Sequence, residues 1–338
     1  MTVVELVLSL AAILAAAALF TNAVEIVGSR LNLGQGAVGS VLAAVGTALP
    51  ETMIPIVALV GAFVTGEDAA ASGEIGIGAI LGAPFLLATL AMFVVGVSVL
   101  AFKDRRESAA ALSIDRVTTR RDLGFFLVCF ALAAAAGLVP LPLYVKVALA
   151  VALVVAYALY VRRVLRSGGA LLEEVPEKLT LWRSGSRPPS WAAALQLIGS
   201  LAVMALGAHF FVEGIEHASK RLGIPAGLIA LVLAPLATEL PEKFNSILWV
   251  REDKDTLALG NITGAMVFQS AVPVSIGLVL TGWELGALNA FSVVLALVSG
   301  ALLYALLRRK RPLRAAPLLG GGAMYAIFVA AAVYTVLL

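Results

Sequence analysis

GLIALVLAPLATELPEKFNSILWV, residues 227 to 250, holds two acids, a lysine and two prolines inside an apolar run long enough to span a bilayer. Ionisable groups are costly at that depth and usually mark a transport path. An earlier run, GAVGSVLAAVGTALPETMIPIVALV at 36 to 60, carries Thr47, Pro50 and Glu51 where the later one carries Thr238, Pro241 and Glu242. Residues 22 to 51 and 213 to 242 align without a gap at a constant offset of 191, which also matches Glu25 with Glu216, Arg30 with Arg221, Gly36 with Gly227 and Leu49 with Leu240. Further on, GAILGAPFLL (78 to 87) and GNITGAMVFQ (260 to 269) share Gly78/Gly260 and Gly82/Gly264. The chain carries one device twice.

Working outward, 338 residues with 61% apolar and 13% charged content leave too little polar surface for a soluble globule of this size. About ten apolar spans of roughly 20 residues are expected: 3 to 27, 36 to 64, 76 to 101, 123 to 139, 141 to 161, 191 to 218, 225 to 250, 257 to 280, 285 to 307 and 315 to 338. The expectation is an all-α polytopic membrane protein of ten transmembrane helices, with no soluble domain. The basic residues fall in the connections between spans, so the pI near 9.1 reads as topology and no nucleic-acid partner is implied. Cys129, the single cysteine, excludes an intrachain disulfide. The first apolar run lacks a basic leader and reads as a span.

Arg105, Arg106, Arg116, Arg120 and Arg121 follow the third span, Arg162, Arg163 and Arg166 the fifth, and Arg308, Arg309, Lys310 and Arg311 the ninth. The other side offers Lys146, Lys220 and Arg221. This bias places both termini outside and the long middle connection in the cytoplasm. Two halves of five spans each, an odd number, must face opposite ways: residues 1–162 form a first five-helix repeat, 163–190 a cytoplasmic connecting loop and 191–338 a second, inverted repeat. The site is then expected near the midplane, where the two acidic helices meet.

Proline removes a helix N–H and displaces the carbonyl four residues back. For Pro50 that carbonyl belongs to Gly46, for Pro241 to Ala237, and Pro55 and Pro235 loosen further turns. Thr47 and Glu51, like Thr238 and Glu242, are four apart and present hydroxyl and carboxylate on one helical face. Two carboxylates in a low-dielectric site need a cation or protons to neutralise them. Oxygen donors without imidazole or thiolate favour a hard cation such as Ca²⁺ or Na⁺. Two readings stand for Glu239: an ion ligand, or a charge neutralised by Lys243 four residues on. His209, Glu213 and His217 share a metal-compatible spacing, and polar packing is the default for them. Close helix packing is the default for Gly78 with Gly82 and for Gly260 with Gly264.

These paired runs resemble the alpha repeats of the calcium/cation antiporter superfamily, in its sodium/calcium exchanger branch, whose repeats read roughly G-T-S-x-P-E. The resemblance covers spans 1 to 3 and 6 to 8. It implies that Glu51 and Glu242 are the main Ca²⁺ and Na⁺ ligands, with Thr47 and Thr238 adding oxygens. The family serines become Ala48 and Glu239, and third-helix ligand positions become Ala83, Leu87, Ala265 and Gln269. Gln269 then has two readings, coordination through its amide oxygen or an interhelical hydrogen bond. The candidate cation-binding residues are therefore Glu51, Glu242, Thr47, Thr238, Glu239 and Gln269, with the carbonyls of Gly46 and Ala237. The resemblance implies secondary active exchange of Ca²⁺ for Na⁺ across a cell membrane. A Ca²⁺/H⁺ antiporter, an exchanger of another cation and an uncoupled channel stand as alternatives. No cofactor and no enzymatic motif are expected; the partners are inorganic cations and the lipid bilayer, and a monomer can suffice for transport.

Overall fold

The structure, a computed structural model, describes residues 2–30, 48–65, 69–166, 178–182, 188–309 and 312–337. Helix α1 is Thr2–Arg30, α2 Leu49–Thr65 and α3 Ala69–Leu86, which passes through a π turn at Leu87–Ala91 into α4, Met92–Phe102. Then come α5 (Arg116–Leu138), α6 (Leu143–Arg166), α7 (Ser190–Leu222), α8 (Ala226–Thr238), α9 (Leu240–Arg251), α10 (Asp255–Gln269), α11 (Val272–Leu280) and α12 (Ala287–Arg308). The short α13 (Ala315–Leu318) and α14 (Gly320–Leu337) finish the chain. Among the described residues, eight helical spans are long and apolar enough to cross a membrane, and α2 and α8 add shorter apolar stretches, Leu49–Val60 and Ala226–Leu236. Each of the ten expected spans therefore holds described helix.

Boundaries shift where a local residue dictates it. The fourth span, expected from 123, starts at Arg116 because the Asp115 carboxylate accepts from the backbone N–H groups of Val117 (2.9 Å) and Thr118 (3.2 Å) and caps the helix. The Thr118 hydroxyl, at 2.6 Å, is the main reason the Asp115 carboxyl titrates below its ordinary value of 3.8. A depressed carboxylate stabilises the fold above its unfolded pKa and loses that contribution as pH falls through the folded one. Asp115→Ala is expected to cost about 1 kcal/mol, with the difference from wild type shrinking in thermal melts taken below about pH 4.

The eighth span, expected unbroken over 257 to 280, divides into α10 and α11. Pro273 lies in the first turn of α11 and has no N–H for the Gln269 carbonyl, so the helix restarts after Ala271. The all-α reading gains one small addition, strands β1 (Ala111–Leu112) and β2 (Leu313–Arg314), which pair antiparallel with Ala111 opposite Arg314.

Connections gather at two ends. At one, Arg106 sits almost without exposure and forms a two-point ion pair with Asp255 at 2.8 and 2.7 Å. Its remaining donors reach the carbonyls of Val250, Ala109 (3.2 Å) and Ala111 (3.1 Å) and the Ser108 hydroxyl (2.7 Å). Beside it β1 pairs with β2, and Ala315 N–H donates to the Ala110 carbonyl at 3.1 Å. This links the connections after α4, α9 and α12. At the other end, Lys146 donates to the Gly282 carbonyl, Trp283 Nε1 to that of Ala133 (2.9 Å) and Leu285 N–H to that of Gly137 (2.9 Å). Helices α5 and α12 run from one cluster to the other, so the basic connections after the third and ninth spans meet at one end. Removing one partner of a buried ion pair strands the other, so Arg106→Ala is expected to cost about 3 to 5 kcal/mol, read as an early melt in detergent.

Helix α3 is the hub. It packs on α2, α8, α10, α11 and α12, and Ile75, Ala79, Ile80, Leu81, Phe85 and Leu86 are buried in it. Helices α1 and α7 pair antiparallel at the flank, with Gly207 against Ser9 and Ile13, Gly214 against Leu6, and Gln196 Nε2 donating to the Leu19 carbonyl at 2.8 Å. Val147, Val151, Val154 and Val155 of α6 face outward, as a lipid-facing helix requires.

Candidate functional site

Helix α8 ends at Thr238, and α9 begins at Leu240 with Pro241 in its first turn, where a missing N–H costs nothing. Glu239 is the joint, with φ −86° and ψ 6°. Its N–H donates to the Pro235 carbonyl at 3.0 Å and its own carbonyl accepts from the Lys243 N–H at 3.2 Å, so the joint is a kink with continuity on one side. Thr238 and Glu242 stand on either side of this joint, which interrupts the span beside its acids, where Pro235 and Pro241 loosen the helix.

The offset of 191 maps Leu240 onto Leu49, and Leu49 is where α2 begins. The two acidic helices therefore begin at equivalent residues. The third members show the same correspondence at an offset of 182, set by Gly78/Gly260 and Gly82/Gly264. The π turn at 87–91 falls opposite the 269–272 division of α10 from α11. Pro84 in α3, whose missing N–H frees the Ile80 carbonyl, precedes the π turn.

Glu51 is 5% exposed in the first turn of α2, and next to it the Thr52 hydroxyl donates to the Ala48 carbonyl at 2.8 Å. Thr238, 1% exposed, donates to the Ala234 carbonyl at 2.9 Å, which leaves its lone pairs as acceptors. Glu239, also 1% exposed, accepts from Lys243 Nζ at 2.9 Å on Oε2, while its Oε1 has no hydrogen-bond partner among the described residues. Gln269 is buried at the end of α10 with Oε1 likewise unmatched. Buried polar oxygens of this kind demand a partner. Gly46 and Thr47 lie outside the described residues. Ala237 and Glu242 are placed as helical backbone in α8 and α9, and their side chains lie outside the description. The helices that carry Glu51, Thr238, Glu239 and Gln269 all converge on α3 or on one another.

Convergence depends on how closely α3 approaches α8. A Cβ on Gly78 would fall onto the Gly227 carbonyl oxygen, and one on Gly82 onto that of Leu231. Pro235, four residues after Leu231, removes the N–H that this carbonyl would otherwise accept, so the freed oxygen lies against the glycine. The packing reading of Gly78 and Gly82 is thus borne out.

Among the described residues, no group of three or more His, Cys, Asp and Glu is placed to hold a metal. His209 lies 3.5 Å from Glu213, and His217 3.8 Å from Glu5 of α1; all four side chains are well exposed. His217 and Glu5 join α7 to α1, while His209 and Glu213 pair along α7 itself.

Sequence reasoning missed a second buried polar group. Asp122 of α5 accepts from the Tyr160 hydroxyl of α6 (2.5 Å) and the Thr263 hydroxyl of α10 (2.9 Å), with Arg121 Nε at 3.7 Å. Asp122 stands beside Arg120 and Arg121, so it reads as part of a solvated charge run. The available signal is its place nearly two turns inside a helix that the Asp115 cap starts early.

Comparison with known proteins follows the same lines. The family described as sodium/calcium exchanger protein matches residues 1–166 and 192–337. A Ca²⁺/H⁺ antiporter of Aphanothece halophytica is 26% identical over 140 residues, 40% of this chain and 35% of that protein. The matched regions span less than half the length of each curated relative. The crystal structure of the H⁺/Ca²⁺ exchanger CAX superposes with a TM-score of 0.75 at 17% identity, covering 97% of this chain and 81% of that one. The sodium-calcium exchanger NCX_Mj, soaked with Na⁺ and Sr²⁺, gives a TM-score of 0.60 at 20% identity and covers 97% of each chain. At these identities the two structures speak for the fold.

Proposed function

We propose that this chain, which belongs to the sodium/calcium exchanger protein family, is a secondary active antiporter that moves Ca²⁺ across a membrane in exchange for a monovalent cation. The observation that carries the reading is that the two proline-bearing helices begin at equivalent residues, Leu49 and Leu240, each with an acid two residues on, Glu51, which is buried, and Glu242. Buried carboxylates beside loosened backbone are what a dehydrated hard cation requires. Glu51 and Glu242 are the main ligands. Thr47 and Thr238 add oxygens, the carbonyls of Gly46 and Ala237 add more, and Gln269 contributes its unmatched Oε1.

In this reading residues 1–162 and 191–338 are two inverted five-helix halves joined by a cytoplasmic segment, 163–190, with both termini outside a cell membrane. An inverted pair can expose one midplane site to either side in turn. Na⁺ is the exchange partner in the first instance. The second reading, H⁺, draws on Ala48, Ala83 and Ala265, which offer no side-chain oxygen where a Na⁺ ligand is expected, and on the printed names of relatives such as the Aphanothece antiporter.

The test is ⁴⁵Ca²⁺ uptake into proteoliposomes of purified protein, loaded with Na⁺ or acidified inside, against choline at neutral pH. Uptake under an outward Na⁺ gradient supports the first reading and uptake under a proton gradient alone the second. Ca²⁺ current with no counter-ion would identify a channel and overturn exchange.

A further inference from the structure

Lys243 is a lysine with 6% exposure inside a protein that spans a membrane, and its ammonium lies 2.9 Å from a carboxylate that is 1% exposed. Glu239 is the α8–α9 joint and Lys243 lies in the first turn of α9, where its N–H also bonds the Glu239 carbonyl at 3.2 Å. Nearby solvent cannot neutralise either charge at this burial, so each requires the other. The second oxygen of Glu239 has no partner among the described residues, which leaves an acceptor at the joint that the ammonium does not use.

We infer that Lys243 is a built-in monovalent cation: its ammonium fills at Glu239 the place that a mobile Na⁺ would otherwise take, and it thereby sets how many external cations the site carries. The inference rests on the site proposed above. Glu51 and Glu242 bring two negative charges, which one Ca²⁺ balances. Glu239 adds a third, and Lys243 cancels it within the chain. Two monovalent charges therefore suffice to replace each Ca²⁺, and the loaded and exchanged forms carry the same charge. An Asp or Glu at this joint without a lysine four residues on would need a third mobile ion. The lysine makes the difference in ion count a property of the sequence.

Removing the ammonium while keeping the carboxylate exposes the vacancy. ²²Na⁺ binding to purified Lys243→Met in detergent is expected to exceed wild type by about one Na⁺ per chain, one fixed charge being replaced by one mobile charge. Na⁺, measured against equimolar choline, should raise the melting temperature of Lys243→Met. Lys243→Gln, which keeps a hydrogen-bond donor to Glu239, should behave alike and serves if the methionine variant does not fold. The double variant Glu239→Gln/Lys243→Met, with neither charge, should return to wild-type Na⁺ binding. Equal Na⁺ binding in wild type and both single variants overturns the inference, as does a double variant that retains the extra ion. None of these readouts uses transport, so loss of Ca²⁺ uptake in wild type would sink the exchanger reading while leaving this one standing.

Discussion

Ca²⁺ uptake should vanish in Glu51→Gln, and again in Glu242→Gln, with the protein folded. Glutamine keeps the shape of the side chain and removes one charge. A unit charge pair about 4 Å apart at an effective dielectric constant of about 20 is worth about 4 kcal/mol, roughly a thousandfold in affinity. Uptake measured at a Ca²⁺ concentration that half-saturates wild type then falls to background. Glu51, buried in the first turn of α2, has little room to recruit water in place of the lost charge. Near-normal uptake in both variants would remove the pair from the site. Loss in one variant alone would show that the halves contribute unequally.

Gly82→Val is expected to destroy the helix packing around the site. The added Cβ meets the backbone of Leu231 as well as the Pro235 ring at 2.9 Å, so the obstruction is a carbonyl fixed in α8 and not a mobile side-chain tip. Overpacking typically costs about 1 to 3 kcal/mol; a collision with backbone belongs at or beyond the upper end. Gly78→Val, against the Gly227 carbonyl, should behave the same way. Gly124→Ala is the control, because its Cβ would make ordinary contact with Tyr304 at 3.6 Å and alanine favours helix by about 1 kcal/mol. Monodisperse protein with wild-type melting in Gly82→Val would show that α3 and α8 can part without cost.

Much of this arrangement is legible in the chain. The gapless offset places Leu49 against Leu240 before any coordinates, and both begin a helix. Hydropathy finds ten spans, and the alternation of basic connections agrees with the loops that meet around Arg106 and Lys146. What was hidden is the use of individual charges. Arg106 belongs to a basic connection and counts toward topology, yet its guanidinium is fully buried, because Asp255, 149 positions later, folds against it. Asp122 is concealed in the same manner by a partner on α10. Proline is legible where it lies within four residues of an acid, at 50, 55, 235 and 241. Pro84 and Pro273, with no acid beside them, reshape the third helices just as much. Such pairings depend on distant contacts, and local patterns do not carry them.

The groups in the first half of the chain that most need partners find them in the second. Arg106 waits for Asp255, Asp122 for Thr263, Gly78 for Gly227, and strand β1 for β2. While the ribosome is still making the later half, the earlier half stands in the membrane with a stranded guanidinium and an open groove on α3. Exposed apolar surface of this kind makes partly folded chains prone to aggregate. A fragment ending before residue 190 is therefore expected to aggregate in detergent at concentrations where the full chain stays monodisperse, since Asp255, Thr263 and Gly227 are missing from it.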